Sequence, residues 1–219
     1  SPLGVKVLRD SREELLPSTR DTTETIPGKH GEIDFGSTFN ARPLELHVVT
    51  PEGIDKGPTK RKLAGYLFPR NKTLIFLDDP EKVYNVKYAG KIDLNQYYNW
   101  FEFTIPFKMT MPFLEGAFEQ TLHGAGTLIN EGTIETSLTI EIAGPATDPT
   151  IQIGDKTLKY TGILASGDVV VIKTEPMTVT YNGVNALANY NNEFPLLYPG
   201  ETPVTAGDNV TFRWRSRWL

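Results

Sequence analysis

Cysteine is absent from these 219 residues. That excludes disulfides, thiolate metal sites and a cysteine nucleophile, and leaves stability to packing and assembly. Basic charge is not in excess: 22 Lys and Arg stand against 27 Asp and Glu, for a net charge of −5. A general nucleic-acid binder presents a basic surface instead. No apolar run approaches the length of a membrane-spanning helix, and no signal-peptide pattern opens the chain, which begins with Ser1. Histidine is limited to three residues, and helix-period segments are rare. Internal repeats and a low-complexity linker are lacking as well, so the two halves are expected to pack directly together.

What is plentiful is turn chemistry and alternation. Nineteen Gly and sixteen Pro punctuate a chain whose 39% hydrophobic content is enough for real cores. Val5, Val7 and Leu8 are the only early strand signal, and Leu44, Leu46 and Val48 alternate with Glu45 and His47. From Pro58 to Leu67 the period changes: Pro58 suits a helix start, Lys60, Arg61 and Lys62 face solvent, Leu63 and Leu67 stack, and Pro69 closes the segment. Strands then resume with Leu74 to Leu77, ended by Asp78-Asp79-Pro80, followed by Tyr84/Val86/Tyr88 and Phe101/Phe103/Ile105/Phe107. Pro106 marks that last run as an edge strand or a strand end.

Near Met111 to Gly116 the alternation stops and a new strand series begins. Leu138/Ile140/Ile142, Ile151/Ile153, Leu158/Tyr160, Val169 to Ile172 and Met177/Val179/Tyr181 are separated by turn pairs such as Gly154-Asp155 and Asn182-Gly183. Short strands at this spacing imply a β-sandwich. The expected fold is mainly β: an N-terminal β-sandwich-like domain with one short helix over 1–113, and a second β-sandwich over 114–219.

No residue cluster carries chemistry. His30, Glu32 and Asp34 alternate and in principle share a strand face, but a metal site needs a fixed, supported geometry that nothing nearby supplies. Asp78 and Asp79 are adjacent and precede a proline, so they read as a turn and not as carboxylates facing each other across a sugar. His47 and His123 have no nucleophile in a paired motif, and Gly124-Ala125-Gly126 lacks the lysine and setting of a phosphate loop. No cofactor is expected. The aromatic groups Tyr97, Tyr98, Trp100, Phe101 and Phe103, and Tyr181, Tyr190, Tyr198, Trp214 and Trp218, suit core and interface positions; the alternative is a lectin-like module stacking on host cell-wall sugars. Arg213, Arg215 and Arg217 alternate on a terminal strand, where they either guard an edge or dock on an acidic partner.

The segment from Leu15 to Gly36 is the most telling. A polar stretch passes through Ile26-Pro27-Gly28 and His30-Gly31 into an Ile33/Phe35 strand, a loop or hairpin with nothing in its own composition to hold it. This order of residues resembles the opening of the distal tail proteins of long-tailed, non-contractile phages. The Lys/Arg-faced helix, the Leu74-Ile75-Phe76 strand, the Asp78-Asp79-Pro80 turn and the Phe107 to Gly116 junction follow in the family's order. So do Ile140 to Ile151, the Asn182-Gly183-Val184-Asn185 hairpin and the closing Arg215-Ser216-Arg217-Trp218-Leu219. The start departs from the family, whose usual first strand is expected to be absent or shortened here.

The resemblance implies a non-enzymatic structural hub of the virion, made in the bacterial host cytoplasm and sited at the tail tip. Its N-terminal domain would form a homohexameric ring around the tail channel, and its C-terminal domain would be a galectin-like sandwich. Expected partners are copies of itself, the tail tube protein, the tail-tip or hub protein and receptor-binding proteins, without nucleic-acid recognition or membrane. Candidate subunit-interface residues are Leu16, Pro17, Arg20, Ile26, Pro27, Gly28, His30 and Asp34; candidate partner-docking residues are Arg213, Arg215 and Arg217.

Overall fold

Alternation of Leu44, Leu46 and Val48 with polar neighbours puts the three apolar side chains on one face, and all three are buried. The computed structural model describes residues 5–12, 16–53, 55–68, 71–92 and 94–219, without the Lys56 side chain. The chain divides into two units, Ser1–Leu114 with Leu219, and Glu115–Trp218. Leu15 and Pro69 lie outside the described residues.

The first unit contains β1 (Lys6–Asp10), β2 (Thr19–Glu24), β3 (Ile33–Phe39), β4 (Arg42–Val49), α1 (Lys56–Leu67), β5 (Asn71–Phe76), β6 (Asp79–Tyr88), β7 (Leu94–Gln96) and β8 (Phe101–Met109). Strands β1, β4, β8, β6 and β5 are neighbours in that order, and β7 also pairs with β8. The buried face of β8, Phe101, Phe103, Ile105, Phe107 and Met109, is the spine of this core. Each such side chain contributes about 1.5–3 kcal/mol by leaving water.

Pro106 does not mark an edge. It sits within β8, opposite Glu45 of β4. Its carbonyl accepts from the Ala89 amide at 3.0 Å, on the side away from β4, just where β6 has ended at Tyr88. The donor that proline lacks therefore falls where the neighbouring ladder runs out, and no sheet bond is lost.

The helix starts two residues before Pro58 because Asp55 caps it, its carboxylate accepting from the Gly57 amide at 3.3 Å. Pro58 then falls in the first turn, where no intrahelical donor is missed. Leu63 is buried and Leu67 half-buried, but most of α1 is exposed. Leu74 to Leu77 is likewise no buried run: Ile75 is 55% exposed and Leu77 fully so. The turn is Leu77-Asp78, and Asp79 and Pro80 already belong to β6.

From Leu114 follow β9 (Leu114–Gly116), β10 (Gln120–His123), β11 (Gly126–Asn130), β12 (Thr139–Ala143), β13 (Ala146–Thr147), β14 (Thr150–Ile153), β15 (Lys156–Lys159), β16 (Ile163–Leu164), β17 (Val169–Lys173), β18 (Thr178–Tyr181), β19 (Val184–Asn185), β20 (Gly200–Thr205), β21 (Val210–Trp214) and β22 (Arg217–Trp218). A six-stranded sheet, β10-β21-β12-β17-β18-β19, faces a four-stranded sheet, β11-β20-β14-β15. Ile140, Ile142, Val170, Ile172 and Phe212 from the first interleave with Leu128, Ile151, Ile153, Leu158 and Val204 from the second in one core. Asn182 and Gly183 both have positive φ, 47° and 81°, giving the primed turn that joins β18 to β19.

Asp168 locks one end of the sandwich. Its carboxylate accepts from the Asn182 side chain at 2.9 Å, the Tyr181 hydroxyl at 2.7 Å and the Ala165 amide at 2.7 Å. These donors, Asn182 foremost, hold its pKa below the usual carboxylate range. A depressed folded-state pKa gives stability that is present above the unfolded value of about 3.9 and is lost as pH falls through the folded value. Asp168→Asn is therefore expected to lower the melting midpoint at pH 7, with the gap to the parent closing below about pH 4. Melting curves across pH 2–8 check this, and a gap independent of pH contradicts it.

Candidate assembly surface

Among the described residues, strands β2 and β3 pair only with each other, forming a hairpin separate from the main sheet. Its side chains are exposed on both faces, with only Ile33 partly covered. The base closes through the Asn40 amide, which donates to the Ser18 carbonyl at 2.8 Å. Midway, Phe35 and Gly36 oppose the single residue Thr22 in a bulge. Gly36, at φ 104°, supplies the backbone freedom the bulge requires, and its amide donates to Asp34 at 2.8 Å. The tip turns through Pro27 and Gly28, with the Lys29 amide donating to the Ile26 carbonyl at 3.0 Å.

Seven of the eight interface candidates are exposed: Leu16, Arg20, Ile26, Pro27, Gly28, His30 and Asp34. Pro17, at the foot of the hairpin, is buried. Arg20 reaches across to Thr38 at 3.4 Å. His30 lies in the turn and not on β3, and among the described residues no three His, Asp or Glu are grouped to hold a metal. The sequence pattern missed Phe35. Alternation with Ile33 suggests a half-buried strand, yet Phe35 is 62% exposed: no strand pairs with the hairpin among the described residues, and the ring contact it makes is at its foot, where Phe39 meets Phe113 edge-on at 6.0 Å.

The chain ahead of the hairpin is anchored by Arg12. Its guanidinium grips Asp78 through two bonds of 3.0 and 2.7 Å, meets Asp10 at 2.7 Å and stacks 3.7 Å over the Phe76 ring. The Arg12 hydrogen bonds hold the Asp78 carboxyl below its ordinary range. Asp78 is thus a structural anion, and its neighbour Asp79 lies in a strand.

The three C-terminal arginines do not share one strand face. Arg213 is on β21 and Arg217 on β22, and all three are engaged within their own unit. Arg213 meets Glu141 at 2.7 Å; Arg215 donates to the Gly116 and Ala117 carbonyls at 2.8 and 2.7 Å; Arg217 pairs with Glu175 at 2.8 Å and Glu115 at 3.4 Å. Among the aromatics, Phe101, Phe103, Tyr190 and Trp214 are core, Tyr97 stacks on Trp100, and Tyr198 is 67% exposed.

A first unit carrying the separate β2–β3 hairpin is thus followed along the chain by a two-sheet sandwich. Two family models match in succession: the phage tail protein RIFT-related domain over residues 1–109, and the siphovirus-type tail component, C-terminal domain, over residues 131–218. Among solved structures the chain is similar to the Dit protein of phage SPP1, described as a paradigm of the hub adsorption apparatus in phages infecting Gram-positive hosts. That match has 19% identity and a TM-score of 0.78, covering 100% of this chain and 95% of that one. It is also similar to a chain of the phage P2 baseplate in its activated conformation with Ca, at 9% identity and a TM-score of 0.50, covering 97% and 90%. No curated protein sequence matches. The models and the fold define the class, a structural component of a phage tail. Within it, the chain belongs to the siphophage distal tail protein family.

Proposed function

We propose that this protein is a non-catalytic hub of the tail tip, in which six copies close into a ring that joins the tail tube to the adsorption apparatus. The observation that carries this reading is the β2–β3 hairpin, exposed on both faces and tipped with apolar side chains. An isolated two-stranded hairpin is marginal in water and gains stability by packing on something else. Here the support is a neighbouring copy, and head-to-tail contacts of one kind close into a ring when the rotation fits. The interface residues are Leu16, Arg20, Ile26, Pro27, Gly28, His30 and Asp34, with the buried Pro17 fixing the foot of the hairpin that presents them. The ring's further partners are the tube protein above, the tip protein below and receptor-binding proteins at its margin. The similarity to a protein described as an adsorption hub supports the same role here.

The hairpin tip tests the reading. Gly28 has φ 83° and open space around it, so Gly28→Val strains the turn without a clash, at a local cost of about 1–2 kcal/mol. Combined with Pro27→Ala, it is expected to weaken self-association about tenfold or more, since 1.4 kcal/mol is a factor of ten. The melting transition of the second unit should not move. Light scattering and calorimetry on the full chain check this. Equal loss of both would contradict the assignment.

A further inference from the structure

One exposed apolar site in the first unit has no occupant among the described residues. Ala64, Leu67 and Phe68 on α1 and its C-cap, with Tyr88 at the end of β6 and Ile92 in the loop beyond it, line an open groove of about 500 Å³. Phe68 is 84% exposed at its lip. Lys60, Arg61 and Lys62 lie one turn away and make no ion pair among the described residues. The stretch 55–68 has four basic residues and one acid, in a protein of net charge −5.

The hairpin carries the complementary set. Residues 16–39 hold four acids against two bases. Asp21 is occupied by Ser37 and Asp34 by the Gly36 amide, whereas Glu24 and Glu32, which flank the tip, make no ion pair among the described residues. Ile26 and Phe35 project apolar surface from the same structure. Strands of six and seven residues give the hairpin a length of roughly 20 Å.

We propose that the α1 groove is the seat for the hairpin of an adjacent copy, with Phe35 filling the apolar groove and Glu24 and Glu32 meeting the Lys60-Arg61-Lys62 face. This rests on the ring reading above and specifies which surfaces meet. The aromatic anchor supplies affinity and the charges set partner and register. The groove and the hairpin are different surfaces, so each copy offers one of each, and the contact propagates head to tail without pairing symmetrically.

The absence of cysteine makes the test direct. Thr22 lies opposite Phe35 in the hairpin, and Gly65 on α1 has open space around it, so Thr22→Cys and Gly65→Cys leave both the anchor and the groove in place. The two variants are mixed, assembled and mildly oxidised, then run on a non-reducing gel beside each variant alone. A disulfide-linked dimer in the mixture, and none in either single variant, is expected. In parallel, Lys60→Glu with Arg61→Glu is expected to weaken assembly about tenfold, and adding Glu24→Lys with Glu32→Lys in the same chain should recover most of it. A ring that forms without the 22–65 link and ignores the charge exchange overturns this docking while leaving the ring reading intact. An unsubstituted chain that never associates overturns both.

Discussion

Gly144→Ala is expected to destabilise the second unit by roughly 3 kcal/mol or more. A Cβ at this position would stand 1.9 Å from the Ala165 carbonyl oxygen and 2.9 Å from its carbon, so the obstacle is backbone and cannot rotate away. The two segments are held together on both sides of the contact: Ala146 pairs with Leu164, and the Gly144 amide donates to the Asp168 carbonyl at 2.8 Å. Relief requires opening β13 from β16 or losing the bond to the Asp168 turn. For a unit of about 100 residues this corresponds to a drop of about 12 °C or more in melting midpoint. Gly28→Ala is the control, since it has an unfavourable φ but empty space, and it should leave this transition where it is. Calorimetry of both variants checks the pair. A Gly144→Ala protein that melts like its parent would mean the β13–β16 approach is looser than described.

Excision of Thr19 to Phe39, joining Ser18 to Asn40, is expected to abolish self-association and to shift the melting of the remaining body by only a few degrees. The hairpin contributes almost no buried side chain to its own unit, so its removal takes little apolar burial with it. The join is geometrically modest, because the Asn40 amide already donates to the Ser18 carbonyl at 2.8 Å. The core along β4 and β8 is untouched, from Leu44 through Phe107. Light scattering before and after excision, with circular dichroism to verify the fold, makes the comparison. Retained assembly would locate the subunit contact elsewhere; loss of the fold would mean that the hairpin supports the body and not a neighbour.

Much of the architecture could be read from period and turn chemistry. The alternation at Leu44/Leu46/Val48 and at Phe101/Phe103/Ile105/Phe107 maps onto β4 and β8 because one face of each is buried, and burial enforces a period of two. Asn182-Gly183 forms its hairpin because the primed turn needs two positive φ values. Departures occur where tertiary context outweighs a local rule. Pro106 occupies an inner strand because the ladder beside it ends at that residue. Phe35 is exposed despite its strand alternation, as is Leu77, because period reports a preference for cover and not whether the same chain supplies it. Arg213, Arg215 and Arg217 read as one basic face, yet each is engaged inside its unit through Glu141, the Gly116 and Ala117 carbonyls, and Glu175. Partners brought together across some forty to a hundred positions leave no mark in local spacing. The apolar groove beside α1 was invisible for the same reason, since Leu67 and Tyr88 meet only through the fold.

The most direct test of the assembly account is the mass of the intact, unsubstituted protein in solution, measured by native mass spectrometry or multi-angle light scattering over a wide range of concentration. The account predicts a discrete closed species at about six times the 24.4 kDa of one chain. A single 24.4 kDa species at every concentration and salt condition would contradict it.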